Sequence, residues 1–203
     1  MIKHTRPAEL FQNNLKSFMF QNNISHQHIV IVDYDERWNE SFQVESDKLK
    51  TLLSDLLIQT HHIGSTSVTG LAAKPVIDLL LEVTDVSAID KIQTTITESG
   101  YQFWGEYGLA GRRFLTKGTD PRTHNIHCYD TGNTEVDRHL AFRDYLRTHP
   151  GVASEYEDLK KKLAANCNHN IEKYCQGKDA FIKHHQEHAL KYIASLQEES
   201  TGE

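Results

Sequence analysis

Hydrophobic residues recur at helical spacing in the first third of the chain. Two aspartates, at 33 and 35, form a good N-capping environment, and the apolar residues behind them fall on one helix face. These residues are Trp38, Phe42, Leu49, Leu52, Leu53 and Leu56. The pattern predicts a long amphipathic helix, preceded by a short β-strand over 28–32. A shorter amphipathic helix is predicted over 9–20, within an N-terminal extension of residues 1–27.

The middle third has the pattern of strands. A short strand is predicted over 60–63, and the almost wholly aliphatic run 76–83 indicates a strand buried on both faces of a sheet. An amphipathic helix over 87–99 follows. Three runs separated by turn residues then predict a meander of antiparallel strands. They span residues 101–104, 112–116 and 123–129.

The last third is helical in pattern. The predicted helices are one that ends at the His-Pro-Gly sequence 149–151, one over 153–171 and one over 179–196. The order of elements predicts an α+β fold with one mixed sheet and flanking helices. We expect an α+β domain at 28–132, a C-terminal helical segment packed on it at 133–197, and a flexible tail at 198–203.

Composition narrows the class of protein. The chain has 203 residues and a net charge of −6, which argues against nucleic acid as a partner held by bulk charge. The longest apolar run, 76–83, carries two acidic residues and is too short to span a bilayer. No apolar segment at the N-terminus resembles a secretion signal. Cys128, Cys167 and Cys175 form no C-x-x-C pair. We expect a cytoplasmic protein with reduced thiols and no membrane association.

Candidate chemistry is concentrated between residues 61 and 78. Gly64 would let a phosphate approach the backbone, where the amides and hydroxyls of Ser65 and Thr66 could bind its oxygens. Lys74 would add a positive charge for the same phosphate. Asp78, within the aliphatic strand, is an oxygen ligand suited to Mg²⁺. A plain turn at Gly64 and a structural Asp78 are the alternatives.

The same stretch resembles a known family. HIGSTSVTGLAAKPVIDLLLEV, residues 62–83, resembles the segment that defines the GrpB-like proteins, members of the nucleotidyltransferase superfamily. Later blocks that resemble this family are GRRFLTKG at 111–118, HNIHCY at 124–129 and LAFRDYLRTHP at 140–150. The resemblance extends over residues 29–196.

This resemblance implies a nucleotidyltransferase-type mixed sheet. Gly64 and Ser65 match the superfamily's Gly-Ser pair, and Asp78 matches the first carboxylate of its metal site, so that Mg²⁺ or Mn²⁺ is the expected cofactor. A functional link to dephospho-CoA kinase and coenzyme A metabolism is also implied, because some relatives are fused to that kinase. The resemblance says much less about the reaction or the substrate.

One departure from the superfamily pattern concerns the metal site. The superfamily places two acidic residues one position apart on this strand, but the second position is Leu80 here. Glu82 points to the same face as Asp78, yet it lies roughly 13 Å along the strand. One metal ion, or a close metal pair, cannot take both carboxylates as direct ligands. This departure argues against ordinary nucleotidyl transfer.

A histidine and two arginines offer other groups for the site. His127 shares one strand face with Asn125 and Tyr129, at the position of the superfamily's later acidic strand. It could ligate a metal, transfer a proton, or be a core histidine. Arg112 and Arg113 point to opposite faces, so one of them could bind a phosphate; the pattern does not decide which.

Three hypotheses follow. The first is a protein that binds a nucleotide or coenzyme A precursor with a divalent metal on Asp78 and His127, and that transfers a nucleotidyl or phosphoryl group. The second is a non-catalytic nucleotide- or CoA-binding module, which regulates or scaffolds a partner and which Leu80 favours. The third is a zinc hydrolase that uses His127 and His62.

Overall fold

The computed structural model describes residues 29–119 and 121–201. These residues form helices and strands that we number in chain order. The helices are α1 (Arg37–Leu53), α2 (Val86–Lys91), α3 (Gln93–Glu98), α4 (Thr134–Thr148), α5 (Pro150–Asn166) and α6 (Ile171–Thr201). The strands are β1 (Leu57–Ile63), β2 (Ile77–Val83), β3 (Tyr101–Phe103), β4 (Arg113–Lys117) and β5 (His124–Asp130). Within these ranges no helix combines the length and apolar character needed to cross a bilayer.

The strands form one mixed sheet in the order β1-β2-β5-β4-β3. Strands β2 and β5 are parallel, and the other neighbouring pairs are antiparallel. Two helices and two strands lie between β2 and β5 in the chain. This connection is long enough for the chain to return to the end of the sheet where β2 starts, so that β5 can run parallel to β2. The predicted α+β class with a mixed sheet is confirmed, and so is the meander of the last three strands.

Side-chain alternation along β2 divides the sheet into two buried faces. Leu79 and Leu81 pack with Leu49 of α1, on what we call the α1 face. Leu80 points the other way and packs with Val136 of α4, on the α4 face. Both faces are covered by helices, which explains why the strand is almost wholly aliphatic. Each fully buried leucine contributes about 2 kcal/mol through removal of its surface from water.

Helix α1 is fixed at its start and at its middle. The residue at the N-cap position is Glu36, which makes no capping hydrogen bond with its side chain, but the Asp35 carboxylate accepts a hydrogen bond from the first helical amide, that of Arg37, at 2.9 Å. Glu45 is fully buried and accepts hydrogen bonds from Lys117 Nζ and the Tyr101 hydroxyl. Burial opposes ionisation of Glu45, but these hydrogen bonds keep its pKa below the ordinary value. Through these hydrogen bonds Glu45 links α1 to Tyr101 of β3 and to Lys117 of β4.

Two predicted elements are different in the structure. Within 29–32, the part of this run that the structure describes, only Val32 pairs, through two backbone hydrogen bonds of 2.9 Å with Ala73, and these four residues form no strand. The predicted helix over 87–99 is two short helices that meet at Ile92, whose φ of −107° and ψ of 16° are not helical. The predicted helix over 9–20 and the last two residues of the predicted tail lie outside the described residues.

Helix α5 holds the connection between β1 and β2. The Ala72 amide donates to Glu157 Oε2 at 2.8 Å, and the Ala72 carbonyl accepts from Lys160 Nζ. The lysine is buried over the Tyr156 ring, and burial, with the positive charge of Lys178, lowers its pKa to about 7. Both backbone polar groups of Ala72 are thus bound by one helix.

Helix α6 begins at Ile171, earlier than the predicted start at 179. Asn170 caps it, since its Oδ1 accepts from the Lys173 amide at 3.0 Å. Gly177, a residue that weakens helices, lies inside the first turns. A Cβ at this position would lie 2.3 Å from Leu163 Cδ2 of α5. The glycine therefore permits a close approach of the two helices, which sequence pattern does not reveal.

We expect Gly177→Ala to lower the free energy of unfolding by up to about 2 kcal/mol, because overpacking costs about 1–3 kcal/mol and the gain in helix propensity offsets about 1 kcal/mol. Urea unfolding measures the effect. In a Leu163→Ala background the same change should be neutral or stabilising, since the contact is gone. Stabilisation by Gly177→Ala in the wild-type chain would contradict the close approach.

Candidate functional site

The connection after β1 brings Gly64 and Asp78 together. Ile63, the last residue of β1, pairs with Asp78 near the start of β2. Gly64 has a φ of 70° and a ψ of −175°, a conformation essentially restricted to glycine. A Cβ on Gly64 would lie 2.4 Å from Oδ2 of Asp78. The Asp78 carboxyl group therefore packs directly against the Gly64 backbone.

Cations dominate the charged surroundings of Asp78. Asn125 Nδ2 donates to Oδ1 of Asp78 at 2.8 Å, and Arg122 Nη1 donates to Asn125 Oδ1 at 3.3 Å. Burial raises the pKa of Asp78, while the Asn125 hydrogen bond and the positive charges of Lys178, Lys74 and Arg122 oppose that rise. Burial also lowers the pKa of Lys74 and of Arg122. Positive charge thus exceeds negative charge around this carboxyl group.

A cavity of about 250 Å³ opens beside Asp78 on the α4 face, and we call it the Gly64 pocket. Four residues of the predicted site line it: Gly64, Ser65, Asp78 and His127. Lys74 does not line it but acts electrostatically on Asp78. The other walls come mainly from α4, α5 and α6. Their lining residues are Arg138, His139, Phe142, Arg143, Leu146, Tyr156, Ile182 and Gln186.

Arg112 lies on the same side of the sheet as the pocket, but its guanidinium is already bound. Nη1 lies 3.4 Å from His127 Nδ1, and Nε and Nη2 donate to the carbonyl oxygens of Glu106 and Tyr107 at 3.2 and 2.8 Å. The group is buried over the Phe114 ring. The structure therefore gives Arg112 the task of orienting His127, in place of the predicted contact with a phosphate.

Two other predicted residues point away from the pocket. Arg113 makes two hydrogen bonds of 2.6 Å to the Asp90 carboxylate, on the opposite side of β4 from Arg112. The Thr66 hydroxyl is buried and lies 3.0 Å from His62 Nε2, so it faces the protein interior. The His62 ring stacks on Phe42 of α1 at 4.8 Å between ring centroids. These contacts correct the expectation that Arg113 or the Thr66 hydroxyl reaches a phosphate.

Helix α4 contributes two pocket residues that the sequence pattern does not assign to the site, Arg138 and His139. Arg138, His139 and Arg143 line the pocket. Arg143 donates to the His62 carbonyl oxygen at 3.2 Å, which joins α4 to the end of β1. Burial lowers the pKa of His139 to about 4, so the ring is neutral at pH 7. The available signal was the spacing of 138, 139, 142 and 143, which puts these residues on one helix face.

The described residues near Asp78 do not provide a donor set for Mg²⁺. Leu80 is fully buried in the core, and Glu82 is held by His61 Nε2 at 2.7 Å. Within 29–119 and 121–201 no group of three or more His, Cys, Asp or Glu side chains is placed to hold a metal ion. Mg²⁺ requires several oxygen ligands, whereas the charged side chains that act on Asp78 are those of Lys178, Lys74 and Arg122. The expected divalent metal therefore stays a prediction from the resemblance.

The histidines likewise do not form a metal site together. His62 pairs with Leu79 and faces α1, whereas His127 pairs with Leu80 and faces α4. One zinc ion cannot be shared across the sheet, so the zinc hydrolase hypothesis is wrong. A metal on Nδ1 of His127 would also lie against the positively charged guanidinium of Arg112.

The fold and pocket define an α+β protein with one mixed sheet and a cation-rich cavity at the β1–β2 connection. The GrpB family model, described as GrpB protein, matches residues 28–188. The chain belongs to the GrpB family. This result confirms the resemblance seen in the sequence.

Relatives and solved structures agree with this assignment. The UPF0157 protein YqkA of Bacillus subtilis is 46% identical over 164 residues, which make up 81% of this chain and 48% of that protein. The chain thus spans about half the length of YqkA. The crystal structure of the conserved protein GrpB from Enterococcus faecalis is 45% identical, with a TM-score of 0.78 over 81% of this chain and 99% of that chain.

The more distant matches are of two kinds, a kinase sequence and solved structures of nucleotidyltransferase type. The dephospho-CoA kinase of Mycolicibacterium paratuberculosis is 24% identical over 212 residues, which cover 87% of this chain and 52% of that protein. Among solved structures, the nucleotidyltransferase-type neighbours include the Cid1 poly(U) polymerase. That structure is 12% identical, with a TM-score of 0.44, over 75% of this chain and 45% of that chain.

Proposed function

We propose that the protein binds a small molecule that carries phosphate, a nucleotide or a precursor of coenzyme A, at the Gly64 pocket. The observation that supports this proposal most is the electrostatic action of three cations, Lys74, Arg122 and Lys178, on the carboxyl group of Asp78, which lines the pocket. Lysine and arginine side chains are the usual partners of phosphate oxygens. The surplus of positive charge attracts an anion, and the cavity beside it has room for a small organic group.

Asp78 has a positioning role in this proposal. Through Asn125 it orients Arg122, and its negative charge offsets the repulsion between Lys74 and Lys178. Gly64 contributes space, because any side chain there would displace the Asp78 carboxyl group. Ser65 lines the pocket, where its side chain forms a hydrogen bond with the Tyr156 hydroxyl, and a phosphate oxygen would compete with tyrosine for this group.

The site supports binding better than metal-dependent transfer. Transfer of a nucleotidyl group by two metal ions needs a cluster of carboxylates that bridges the ions. Leu80 and Glu82 supply no second carboxylate beside Asp78. The likeness to a dephospho-CoA kinase supports a coenzyme A precursor as one ligand class. We therefore favour the non-catalytic nucleotide- or CoA-binding module, which regulates or scaffolds a partner, and leave transfer as an outcome that the experiment can detect.

The test combines calorimetry with thermal unfolding. The ligands are ATP, AMP, dephospho-CoA, 4′-phosphopantetheine and ribose 5-phosphate, each with and without Mg²⁺ or Mn²⁺. A ligand at a hundred times its Kd adds about 2.7 kcal/mol to the free energy of unfolding. Lys178→Met should weaken binding about tenfold, or about 1.4 kcal/mol, because one charged contact is lost. Lys183→Met is the matched control, since Lys183 lies on the same helix and pairs with Asp179.

The controls decide between the functions. Equal weakening by Lys178→Met and Lys183→Met would show a general charge effect and would contradict the site. Failure of every ligand to bind would remove the proposal. Binding that requires Mg²⁺, together with release of pyrophosphate from ATP, would instead establish the transfer hypothesis.

A further inference from the structure

The hydrogen bonds of His127 fix which of its ring nitrogens carries the proton. Nδ1 lies 3.4 Å from Nη1 of Arg112, and a guanidinium can only donate. Nδ1 is therefore the acceptor, and in the neutral ring the proton is on Nε2. Burial and the positive charges of Arg112 and Arg138 hold the pKa of His127 well below its ordinary value, so the neutral ring persists at pH 7. His127 thus offers an N–H donor to the Gly64 pocket.

His139 has the opposite arrangement. Its Nδ1 lies 2.7 Å from the carbonyl oxygen of Glu135, which can only accept, so Nδ1 carries the proton. Arg138 Nη2 lies 3.5 Å from the same nitrogen, at the limit of a hydrogen bond, and the shorter contact decides the tautomer. The remaining Nε2 has a free lone pair. His139 thus offers an acceptor to the same pocket.

The two rings lie side by side on the pocket wall, with centroids 5.7 Å apart. Neither Nε2 has a hydrogen-bond partner in the part of the chain that the structure describes. A donor and an acceptor, each fixed from behind by a hydrogen bond to its other nitrogen, form a preorganised pair. Such a pair distinguishes ligands by hydrogen bonding without adding charge.

We infer that His127 and His139 recognise the uncharged end of the phosphate-bearing ligand, through an edge that presents an acceptor beside a donor. The α-hydroxy amide of a pantetheine unit, in which a hydroxyl adjoins the carbonyl, and the amino-substituted edge of a nucleobase both have this chemistry. The inference rests on the proposed function, since the cations around Asp78 bind the phosphate and the two histidines read the other end. The neutral hydrogen bonds of the two histidines decide which ligand is preferred, and the phosphate supplies the affinity.

The variants distinguish the ring nitrogen that faces the pocket, Nε2, from the ring nitrogen that the protein holds by a hydrogen bond, Nδ1. Asparagine places its amide near Nδ1 of histidine, so His127→Asn and His139→Asn keep the anchoring contact and remove the group facing the pocket. Glutamine places its amide near Nε2, so His127→Gln keeps a donor there. His184→Gln, at an exposed histidine of α6, is the surface control. Thermal unfolding confirms that each variant is folded before its affinities are compared.

Calorimetry with AMP, IMP, 4′-phosphopantetheine and ribose 5-phosphate gives the readout. We expect at least one of the first three to bind ten times more tightly than ribose 5-phosphate. AMP and IMP reverse the donor and acceptor of the base edge, and 4′-phosphopantetheine carries an α-hydroxy amide, so the preferred ligand identifies the source. Each Asn variant should reduce this tenfold preference over ribose 5-phosphate to below threefold and leave the Kd for ribose 5-phosphate within twofold of the wild-type value. His127→Gln should retain the preference.

Two results would overturn the inference while sparing the proposed function. One is equal affinity of the wild-type protein for all four ligands. The other is a uniform loss of affinity for all four in the Asn variants. If none of the four binds, the proposed function fails and this inference fails with it. Long-range ¹H–¹⁵N spectra at pH 7 give an independent check, because they should show the Nε2–H tautomer for His127 and the Nδ1–H tautomer for His139.

Discussion

Replacing Gly64 with alanine is expected to lower the free energy of unfolding by about 3–5 kcal/mol. The backbone at φ 70° and ψ −175° costs a residue with a Cβ about 1–3 kcal/mol. The new methyl group would also lie 2.4 Å from Oδ2 of Asp78, so the carboxyl group must leave its hydrogen bond with Asn125. Urea unfolding measures the loss, and calorimetry should show that phosphate ligands no longer bind.

Gly70→Ala is the matched control for this prediction. Gly70 lies in the same connection and also has a positive φ, of 80°, but a Cβ there meets no atom within 4 Å. Its substitution should cost only about 1 kcal/mol, the backbone contribution alone. Equal costs at Gly64 and Gly70 would show that the packing of Asp78 against Gly64 carries no energy, and would count against the pocket geometry.

Acid should destabilise the protein steeply between pH 6.5 and pH 4. Burial, together with nearby arginines, lowers the pKa of His62 and of His139 to about 4, and that of His127 well below 6.5. In this interval the unfolded chain binds protons that the folded chain excludes, so stability is complete above pH 6.5 and is lost as the pH falls. Each of His62 and His139 accounts for about 3 kcal/mol. Burial raises the pKa of Asp78, which works in the opposite direction.

Unfolding by urea at several pH values measures this dependence. His62→Gln keeps a group that reaches the Thr66 hydroxyl but does not titrate, so it should remove about 3 kcal/mol of the acid-induced loss. Thr66→Val removes the hydroxyl partner and leaves the histidine, so it should lower stability at pH 8 and retain the pH dependence. A stability that is flat from pH 6.5 to pH 4 would contradict the burial of neutral histidines.

The sheet could be predicted because its signals are local. The aliphatic run of β2 and the turn residues between the last three strands each depend on a few neighbouring positions. Once β1 and β2 pair as antiparallel neighbours, Ile63 meets Asp78 and the contact with Gly64 follows. The same reasoning fails for the predicted strand over 28–32, because its described residues, 29–32, have the β-branched composition of a strand but pair only through the single bridge of Val32 with Ala73.

The parts that could not be predicted depend on contacts between distant elements. Arg112 and Arg113 alternate as expected, but only the register of β4 with β5 places Arg112 beside His127. The direction of the Thr66 hydroxyl is decided by His62, and the close approach of α6 to α5 by the fit of Gly177 against Leu163. The polar face of α4 looks solvent-exposed in a sequence, because nothing local shows that a pocket lies under it.

The parallel pairing of β2 with β5 also bears on how the site comes into existence during folding. The hydrogen bond between Asp78 and Asn125 joins residues 47 positions apart, so a long loop must close before it can form. A nascent chain that has emerged as far as β4 already contains Gly64 and Asp78, yet it lacks His127 and all of α4. The proposed binding site therefore forms only in the complete fold, and a short fragment around the glycine turn is not expected to bind the proposed ligand.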